Sequence, residues 1–197
     1  MGGVTDWKLL PQIREYWTLM HFEGVADCMR YELLYRRGGY MACADSICLH
    51  PIDGLLSKTC AYTCYTNEFL EGASVVPILA CEPGNPFLGE LIQRLSKIDP
   101  LKLSAPWIST GNLFVARMIR ELDPEIVIWP SHYLIPEHYR GEIYKGSDLI
   151  YARQLWGTTR GLFKETDGIK GKISVLKMKF IRKRHLRNKK KMAASQK

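Results

Sequence analysis

The chain has 197 residues with a formal net charge of +8, and 46% of its residues are hydrophobic and 11% aromatic. This length and composition predict one folded domain and exclude an intrinsically disordered chain. No apolar run approaches the roughly 18 to 20 residues that cross a bilayer, and the first residues lack a basic-then-apolar signal pattern. The sequence therefore predicts a soluble protein, either cytoplasmic or peripheral to a membrane.

The positive charge is concentrated at the C-terminal end of the chain. Residues 168–197 contain twelve of the 28 Lys and Arg residues and none of the 20 acidic residues, so sixteen bases face twenty acids in residues 1–167. The composition predicts a folded domain of residues 1–167 with a charge of about −4, followed by a basic tail of residues 168–197.

Two helices are predicted at the start of the chain. Thr5 or Asp6 fits the N-cap of the first, which Pro11 interrupts. The apolar positions near helical spacing in this segment are Leu9, Leu10, Ile13, Trp17 and Met20. The second helix is predicted over residues 25–37, and Gly38-Gly39 would end it as a C-cap.

Strands and helices alternate along the rest of the domain. Short β-rich runs bounded by turn residues predict strands at residues 40–44, 61–66, 75–81 and 126–129. A helix over residues 113–122 precedes the last strand, and residues 130–146 predict an ordered loop. Another helix begins near Pro86, with an apolar stripe formed by Phe87, Leu88, Leu91, Ile92 and Leu95. The alternation predicts the α/β class.

Charged residues surround the first predicted strand. Asp27 and Arg30 stand three apart on one face of the second helix, which fits either a functional pair or an ordinary surface ion pair. Asp45 follows the strand, and ligands in open α/β sheets bind beyond the carboxyl ends of strands. The alternative for Asp45 is a turn-forming residue, because Asp side chains favour turns.

These residues belong to a longer pattern. The segments ADCMRYELLY (residues 26–35), GGY (38–40), ADS (44–46) and PID (51–53) resemble the A-D-x-x-R-Y…L-Y…G-G-x-Y-x-D-x-D signature of the DXD-containing sugar transferases. That family includes the yeast-type initiating mannosyltransferases and capsular polysaccharide transferases. Weaker similarities follow in CEPGNPF (81–87), in TG (110–111) and in residues 151–159.

The resemblance implies a GT-A-like, Rossmann-type fold that transfers a hexosyl unit from GDP- or UDP-hexose to a glycan acceptor, with retention and with Mn²⁺ or Mg²⁺. It implies Asp27, Arg30 and Asp45 as the catalytic group. The implied donor-binding residues are Asp27, Arg30, Tyr31, Gly39, Ala44 and Trp156. Asp45 would hold the metal, with Cys43 and Gln154 at the family's other ligand positions. For Trp156, a core aromatic is the alternative.

The chain departs from the family pattern at several positions. Cys43 replaces the first acid, Gln154 stands where a histidine is common, and Thr159 replaces a tryptophan. Residues 1–25 are too few for the family's first strand and nucleotide-base loop, which predicts a domain shortened at its N-terminus or a pocket completed from elsewhere. These departures leave a degenerate, non-catalytic binder of sugar nucleotides or glycans as the alternative function.

The acceptor side is predicted at Asn112, His132 and Glu137. His132 and His138, with Glu137 and Glu142 nearby, also fit either a metal site or ordinary loop histidines.

The six cysteines form no C-x-x-C pair, which favours free thiols in a reducing compartment over a disulfide framework. Cys60 and Cys64 would share one face of a strand as packed thiols.

The tail itself has three interpretations. It fits a basic amphipathic helix on an anionic membrane, a nucleic-acid-binding segment or a solvated extension. Its bases over residues 177–191 interleave with the apolar residues Met178, Phe180, Ile181 and Leu186. A transferase that acts on membrane-proximal glycans gains from a surface anchor, so peripheral membrane contact is favoured over nucleic acid.

Overall fold

The computed structural model describes residues 6–70, 74–157 and 169–195. Thr5, Thr159 and the predicted boundary at residues 167–168 lie outside these ranges. Within them the chain has a mixed α/β fold, which confirms the predicted class. The helices are α1 (Leu10–Leu19), α2 (Phe22–Arg37), α3 (Pro86–Ser96), α4 (Pro106–Ser109), α5 (Asn112–Leu122), α6 (Ser131–Leu134) and α7 (Ile169–Ser195). The strands are β1 (Gly39–Tyr40), β2 (Ser46–Cys48), β3 (Ala61–Cys64), β4 (Ala80–Cys81), β5 (Ile126–Trp129) and β6 (Ala152–Gln154).

A four-stranded mixed sheet with the order β1-β4-β3-β5 lies at the centre of the fold. β4 is antiparallel to both of its neighbours, and Tyr62 of β3 lies opposite Ala80 of β4. β5 runs parallel to β3. A second sheet joins β2 and β6 antiparallel, with Ser46 opposite Gln154. This second pairing brings two distant parts of the sequence beside the end of β1.

The first two helices pack against each other, and Glu32 of α2 fixes where α1 begins. The backbone N–H of Leu9, the N-cap residue, donates to Glu32 Oε1 at 3.0 Å. The predicted N-cap at Asp6 is therefore wrong. Pro11 lies in the first turn, where its missing N–H costs nothing, so it begins α1 rather than interrupting it. Gly38 ends α2 with a φ of 64°, as the sequence predicts.

The buried apolar side chains form two clusters. The larger packs α1, α2, α3 and α5 together, and the smaller surrounds β3, β4 and the end of β5. All five predicted stripe residues of α3 are buried, and Asn85 caps this helix by accepting from Leu88 N–H at 3.2 Å. The prediction for the first helix is wrong at two positions, because Trp17 is 57% exposed and Met20 lies beyond the helix end.

Most strands are shorter than the sequence predicts. β1, β3 and β4 cover only part of the predicted runs, whereas β5 matches its predicted bounds. Pro77 has no N–H to donate to a ladder, so the run at residues 75–81 breaks and Val75 forms only an isolated bridge with Tyr65. The short elements α4, α6, β2 and β6 are absent from the sequence prediction.

The basic tail contributes α7, a helix of 27 residues that packs against α1. Its length is about 40 Å at the usual rise per residue. Among the described residues, no helix combines the length and apolar character required to span a membrane.

Gly24 lies in α2 at its contact with α1. A Cβ at this position would lie 2.6 to 2.8 Å from ring carbons of Tyr16, whose side chain is buried. We expect Gly24→Ala to lower the free energy of unfolding by about 1–3 kcal/mol, because the crowded helices would have to shift. Urea denaturation of the wild type and the variant measures the difference in the free energy of unfolding. Gly54→Ala is the control, since its Cβ would meet nothing within 4 Å; equal losses in both variants would contradict the packing argument.

Candidate functional site

Asp45 lies in the turn between β1 and β2, which confirms the turn interpretation, but its side chain bonds residues far along the chain. Its Oδ1 accepts from Gln154 Nε2, and its Oδ2 accepts from the Gly157 N–H at 2.9 Å. Ser46 Oγ donates to Gln154 Oε1 at 2.5 Å. The Leu155 N–H also donates to the Asp45 carbonyl at 2.9 Å. These bonds fix the carboxylate beside the end of β6.

A pocket of about 180 Å³ adjoins this turn. It lies beyond the carboxyl ends of β1, β3 and β5, the edge where open α/β sheets bind ligands. Its polar and aromatic lining comes from Tyr40, Ser46, Thr66, Asn112, Gln154 and Trp156, and Cys43 and Cys64 add two thiols. Four residues predicted from the sequence, Cys43, Asn112, Gln154 and Trp156, therefore meet around one space.

Trp156 forms part of the pocket wall and has an unusual backbone conformation. Its φ is 57°, in the left-handed region that residues other than glycine rarely adopt. Its indole Nε1 donates to the Glu137 carbonyl at 2.8 Å, and its ring meets His138 and Tyr139 edge-on. Backbone strain of this kind often marks functional sites. Trp156 is partly buried and packs against the smaller core cluster, as the alternative interpretation predicts, and it also lines the pocket.

Asp27 is a buried carboxyl group on α2. Its side chain is only 9% exposed, so the interpretation as a solvated surface pair is wrong. Its Oδ2 accepts from Thr110 Oγ1 at 3.0 Å. Burial raises its pKa to about 7, and the hydrogen bond from Thr110 and the charge of Arg30 oppose this rise only in part. Through Thr110, Asp27 is linked to the segment that leads into Asn112 of the pocket.

Arg30, one turn further along α2, lies behind the pocket wall. It is also 9% exposed, and its guanidinium donates to the carbonyls of Met41 at 3.1 Å and Ile78 at 3.3 Å. These carbonyls flank pocket-lining residues of the β1 and β4 segments. Burial raises the pKa of Tyr40, and the Arg30 charge acts against that rise. A positive charge therefore acts on a side chain that faces the pocket.

Of the six predicted donor-binding residues, only Trp156 is in the described lining of the pocket, and three others lie outside it in addition to Asp27 and Arg30. Tyr31 is fully buried in the larger core cluster, and its hydroxyl donates to the Thr110 carbonyl at 2.6 Å. Gly39, with a φ of 93°, pairs with Cys81 in the sheet. Ala44 is exposed in the Asp45 turn. In this conformation Tyr31 acts through packing, while Gly39 and Ala44 shape the chain on either side of Cys43.

His132, a predicted acceptor residue, is buried in an aromatic cluster. Its ring stacks on Tyr144 with centroids 4.1 Å apart. Its two nitrogens lie 3.7 Å from a Glu68 oxygen and 3.8 Å from an Asp148 oxygen, distances longer than a hydrogen bond. His132 therefore supports the loop after β5, and with an exposure of 7% it has little surface for an acceptor.

The other acceptor candidates have separate positions. Asn112 begins α5 and lines the pocket. The Glu137 side chain lies 3.2 Å from Arg153 Nη2, and His138 Nδ1 lies 3.3 Å from Glu142 Oε2. Within residues 6–70, 74–157 and 169–195, no group of three or more His, Cys, Asp or Glu side chains is arranged to hold a metal ion. The histidine metal site thus gains no support.

All six cysteines are free thiols in the structure. Cys60 and Cys64 are buried in the smaller core cluster, which confirms that they are packed. Burial raises the pKa of the Cys64 thiol, so this residue presents a neutral S–H group to the pocket.

Sequence reasoning missed three pocket residues. Ser46, which holds Gln154 in place, directly follows Asp45 and was visible in the same motif. Tyr40 ends β1, and Thr66 follows β3 by two positions. Both lay inside predicted strands, residues 40–44 and 61–66, and only the shorter observed strands place them at the strand ends that face the pocket.

The side chains around Asp45 fit one kind of metal site only. Mg²⁺ and related hard ions commonly bind one or two carboxylates together with substrate phosphates and water. Asp45 supplies one carboxylate, and each of its oxygens accepts one hydrogen bond, which leaves lone pairs for a cation. The thiol of Cys43 is a soft donor and a poor ligand for Mn²⁺ or Mg²⁺. The residues therefore fit a cation shared with a phosphate group, not one held by protein ligands alone.

Comparisons of the chain with protein-family models, with curated proteins and with solved structures each found no match. The resemblance to the DXD sugar transferases consequently depends on the motifs quoted above and on how the fold arranges them.

Proposed function

We propose that this chain is a GT-A-type glycosyltransferase that moves a hexosyl unit from GDP- or UDP-hexose to a glycan acceptor, with retention and with Mn²⁺ or Mg²⁺. One observation carries the proposal. Asp45, Asn112 and the pair Gln154 and Trp156, which the family pattern or the acceptor prediction singles out, come together at the carboxyl edge of the sheet although the chain separates these three positions widely. Local secondary structure alone would not group these four residues.

Hydrogen bonds between α2 and Thr110 add support to the proposal. The family's A-D-x-x-R-Y and T-G segments correspond here to residues 26–31 and 110–111, and they are joined by two hydrogen bonds. Asp27 accepts from the Thr110 hydroxyl, and Tyr31 donates to the Thr110 carbonyl. Thr110 follows Asp27 by 83 residues and Tyr31 by 79 residues, so two motif pieces that are distant in the sequence form one buried unit next to the pocket.

The size of the pocket suggests which part of the donor it takes. At about 180 Å³ it is smaller than the roughly 300–1,000 Å³ that drug-sized ligands occupy. We assign it to the hexose ring, with the nucleotide outside it. The hydroxyl and amide groups of Ser46, Thr66 and Asn112 would bond sugar hydroxyls, and the face of Trp156 would cover the apolar side of the ring.

The reaction requires stabilisation of the negative charge that develops on the departing diphosphate. The divalent cation, when bound by Asp45 and the diphosphate, supplies most of this neutralisation. Gln154 and Gly157 orient the Asp45 carboxylate, and the buried charge of Arg30 adds a positive potential behind the wall. We assign no protein nucleophile, so positioning of donor and acceptor carries the remaining contribution.

Incubation with a panel of nucleotide sugars and Mn²⁺ tests the proposal directly. We expect slow release of GDP or UDP from one donor without added acceptor, and faster release when a suitable glycan is present. Chelation of the metal should abolish the signal. No release from any GDP- or UDP-hexose, with the fold verified by circular dichroism, would contradict an active transferase.

A degenerate binder is the second candidate, and Cys43 is the observation that favours it. A soft thiol lines the pocket where the family has a hard carboxylate. Such a protein would bind GDP, UDP or their sugars in a thermal-shift screen without turnover.

Cys43→Asp tests the placement of the metal. A second carboxylate beside Asp45 should lower the Mn²⁺ concentration needed for half-maximal hydrolysis by about 10–100-fold, by analogy with the sensitivity of metal sites to supporting ligands. Cys48→Asp is the matched control, because Cys48 is exposed on β2 and is not among the residues that line the pocket. An unchanged metal dependence in Cys43→Asp, or an equal change in both variants, would count against the assigned site.

A further inference from the structure

The orientation of α7 on the domain is fixed by a buried carboxylate of α1. Glu15 is only 6% exposed, and its oxygens accept from His185 Nε2 at 2.8 Å and from Lys189 Nζ at 3.1 Å. A buried carboxylate is costly unless it is paired, and the two basic partners on α7 offset the cost of burying Glu15. The basic tail is therefore a docked helix with a defined inner side, not a free extension.

This docking determines which side chains face outward. Arg182, His185 and Lys189 are partly buried and lie at helical spacing on the inner side. Phe180 lies about half a turn away, on the outer side, with Lys183, Arg184 and Arg187 at the i+3, i+4 and i+7 positions. Lys190 continues the same row, and all five of these outer side chains are exposed. We call Phe180, Lys183, Arg184, Arg187 and Lys190 the outer basic face.

The geometry points to a binding surface for anionic lipid headgroups on the outer basic face, with α7 lying along the membrane. Clusters of four or more Lys and Arg residues on a helix attract the negative surface of a bilayer. Residues 168–197 contain no acid that would oppose this attraction. The outer basic face extends along about 15 Å of α7 and presents its charges in one row, which suits a plane of phosphates.

The apolar residues of α7 favour a lipid surface over a nucleic acid. Phe180 is 70% exposed at the N-terminal end of the cationic row, and Ile181 and Leu186 are 55% and 38% exposed on the flanks. Ile181 and Leu186 have aliphatic side chains, which favour the boundary between headgroups and acyl chains, whereas contacts with the phosphates and bases of nucleic acids use charged and aromatic side chains. These residues do not form one apolar face, so the expected mode is electrostatic adsorption with Phe180 as a point anchor, not deep insertion.

Sedimentation of the full chain with vesicles tests the proposal. We expect binding to vesicles of mixed phosphatidylcholine and phosphatidylserine, little binding to phosphatidylcholine alone, and weaker binding as salt increases. Lys183→Glu with Arg187→Glu should lower the affinity at least about 25-fold, since each base near the surface contributes about fivefold. The matched control is Lys97→Glu with Lys102→Glu, which changes the net charge equally on the exposed surface of the domain. Circular dichroism verifies that α7 remains helical.

Phe180→Ser distinguishes lipid from nucleic acid. We expect it to weaken vesicle binding several-fold and to leave any binding of a double-stranded RNA unchanged, because paired bases are not open to stacking on an aromatic ring. Equal losses of vesicle binding in the two double variants would overturn the assignment to α7. RNA binding tighter than vesicle binding, with no effect of Phe180→Ser on vesicles, would overturn the assignment to lipid. Donor hydrolysis should remain unchanged in all of these variants, so this test is independent of the transferase proposal.

Discussion

Asp27→Asn is expected to raise the free energy of unfolding at pH 8 by up to roughly 4 kcal/mol, since the shift spans about three pKa units. Burial raises the pKa of Asp27 from 3.8 to about 7, so the folded protein ionises this group at a cost when the pH is high. Asparagine stays neutral at every pH, and its side-chain oxygen can still accept the hydrogen bond from Thr110. Urea denaturation of both proteins at a series of pH values measures the difference.

The sign of the pH dependence follows from the direction of the shift. Between pH 4 and 7, roughly the interval between the two pKa values, the unfolded chain has lost the Asp27 proton while the folded protein keeps it. The stability contribution of Asp27 therefore falls as the pH rises through this window and stays constant above it. The gain in Asp27→Asn should vanish near pH 4 and reach its maximum above pH 7. A gain independent of pH would contradict the burial argument.

The same substitution should reduce donor hydrolysis although it stabilises the fold. A buried carboxyl group with a raised pKa next to a ligand pocket is typical of a functional residue. Glu32→Gln is the matched control, because Glu32 is a buried carboxylate on the same helix whose partners among the described residues are Leu9 and Arg36, away from the pocket lining. We expect Glu32→Gln to hydrolyse the donor at the wild-type rate per folded molecule. Full activity in Asp27→Asn would assign Asp27 a structural role alone.

Asp45→Ala is expected to lower metal-dependent donor hydrolysis at least about 100-fold, as loss of one electrostatic partner of the transition state commonly does. The substitution removes the carboxylate proposed to hold the cation and leaves Gln154 Nε2 and the Gly157 N–H without their acceptor. Initial rates over a Mn²⁺ titration measure the effect. Glu125→Ala is the control. Glu125 is exposed and precedes the amino end of β5, whereas the pocket lies beyond the carboxyl end of that strand. A small, metal-independent loss in Asp45→Ala would contradict the assigned role.

The elements that the sequence predicted well are those with local signals. α3 has a proline at its start, the Asn85 cap and an apolar stripe, and β5 is a short apolar run before Pro130. The boundaries of β1 and β4 depend on pairing between strands, which local patterns do not reveal. β2 and β6 have three residues each and pair across a separation of 108 positions, so no periodicity marks them.

The candidate site was also predictable only where the sequence has a local signal. The turn at Asp45 was predictable, since Asp favours turns, and the motif spacing pointed to Gln154 and Trp156. The burial of Tyr31 and His132 was not, because it depends on tertiary contacts with Thr110 and Tyr144. The ionisation of Asp27 follows from desolvation, which only the packed structure supplies.

Calorimetric titration of GDP and UDP into the protein with Mn²⁺ tests the central claim, that Asp45 holds a cation together with a diphosphate beside the pocket. The account predicts a binding heat for one of the two nucleotides in the wild type and in Glu125→Ala, and its loss in Asp45→Ala or after chelation. No heat with either nucleotide, or equal binding by Asp45→Ala, would contradict it.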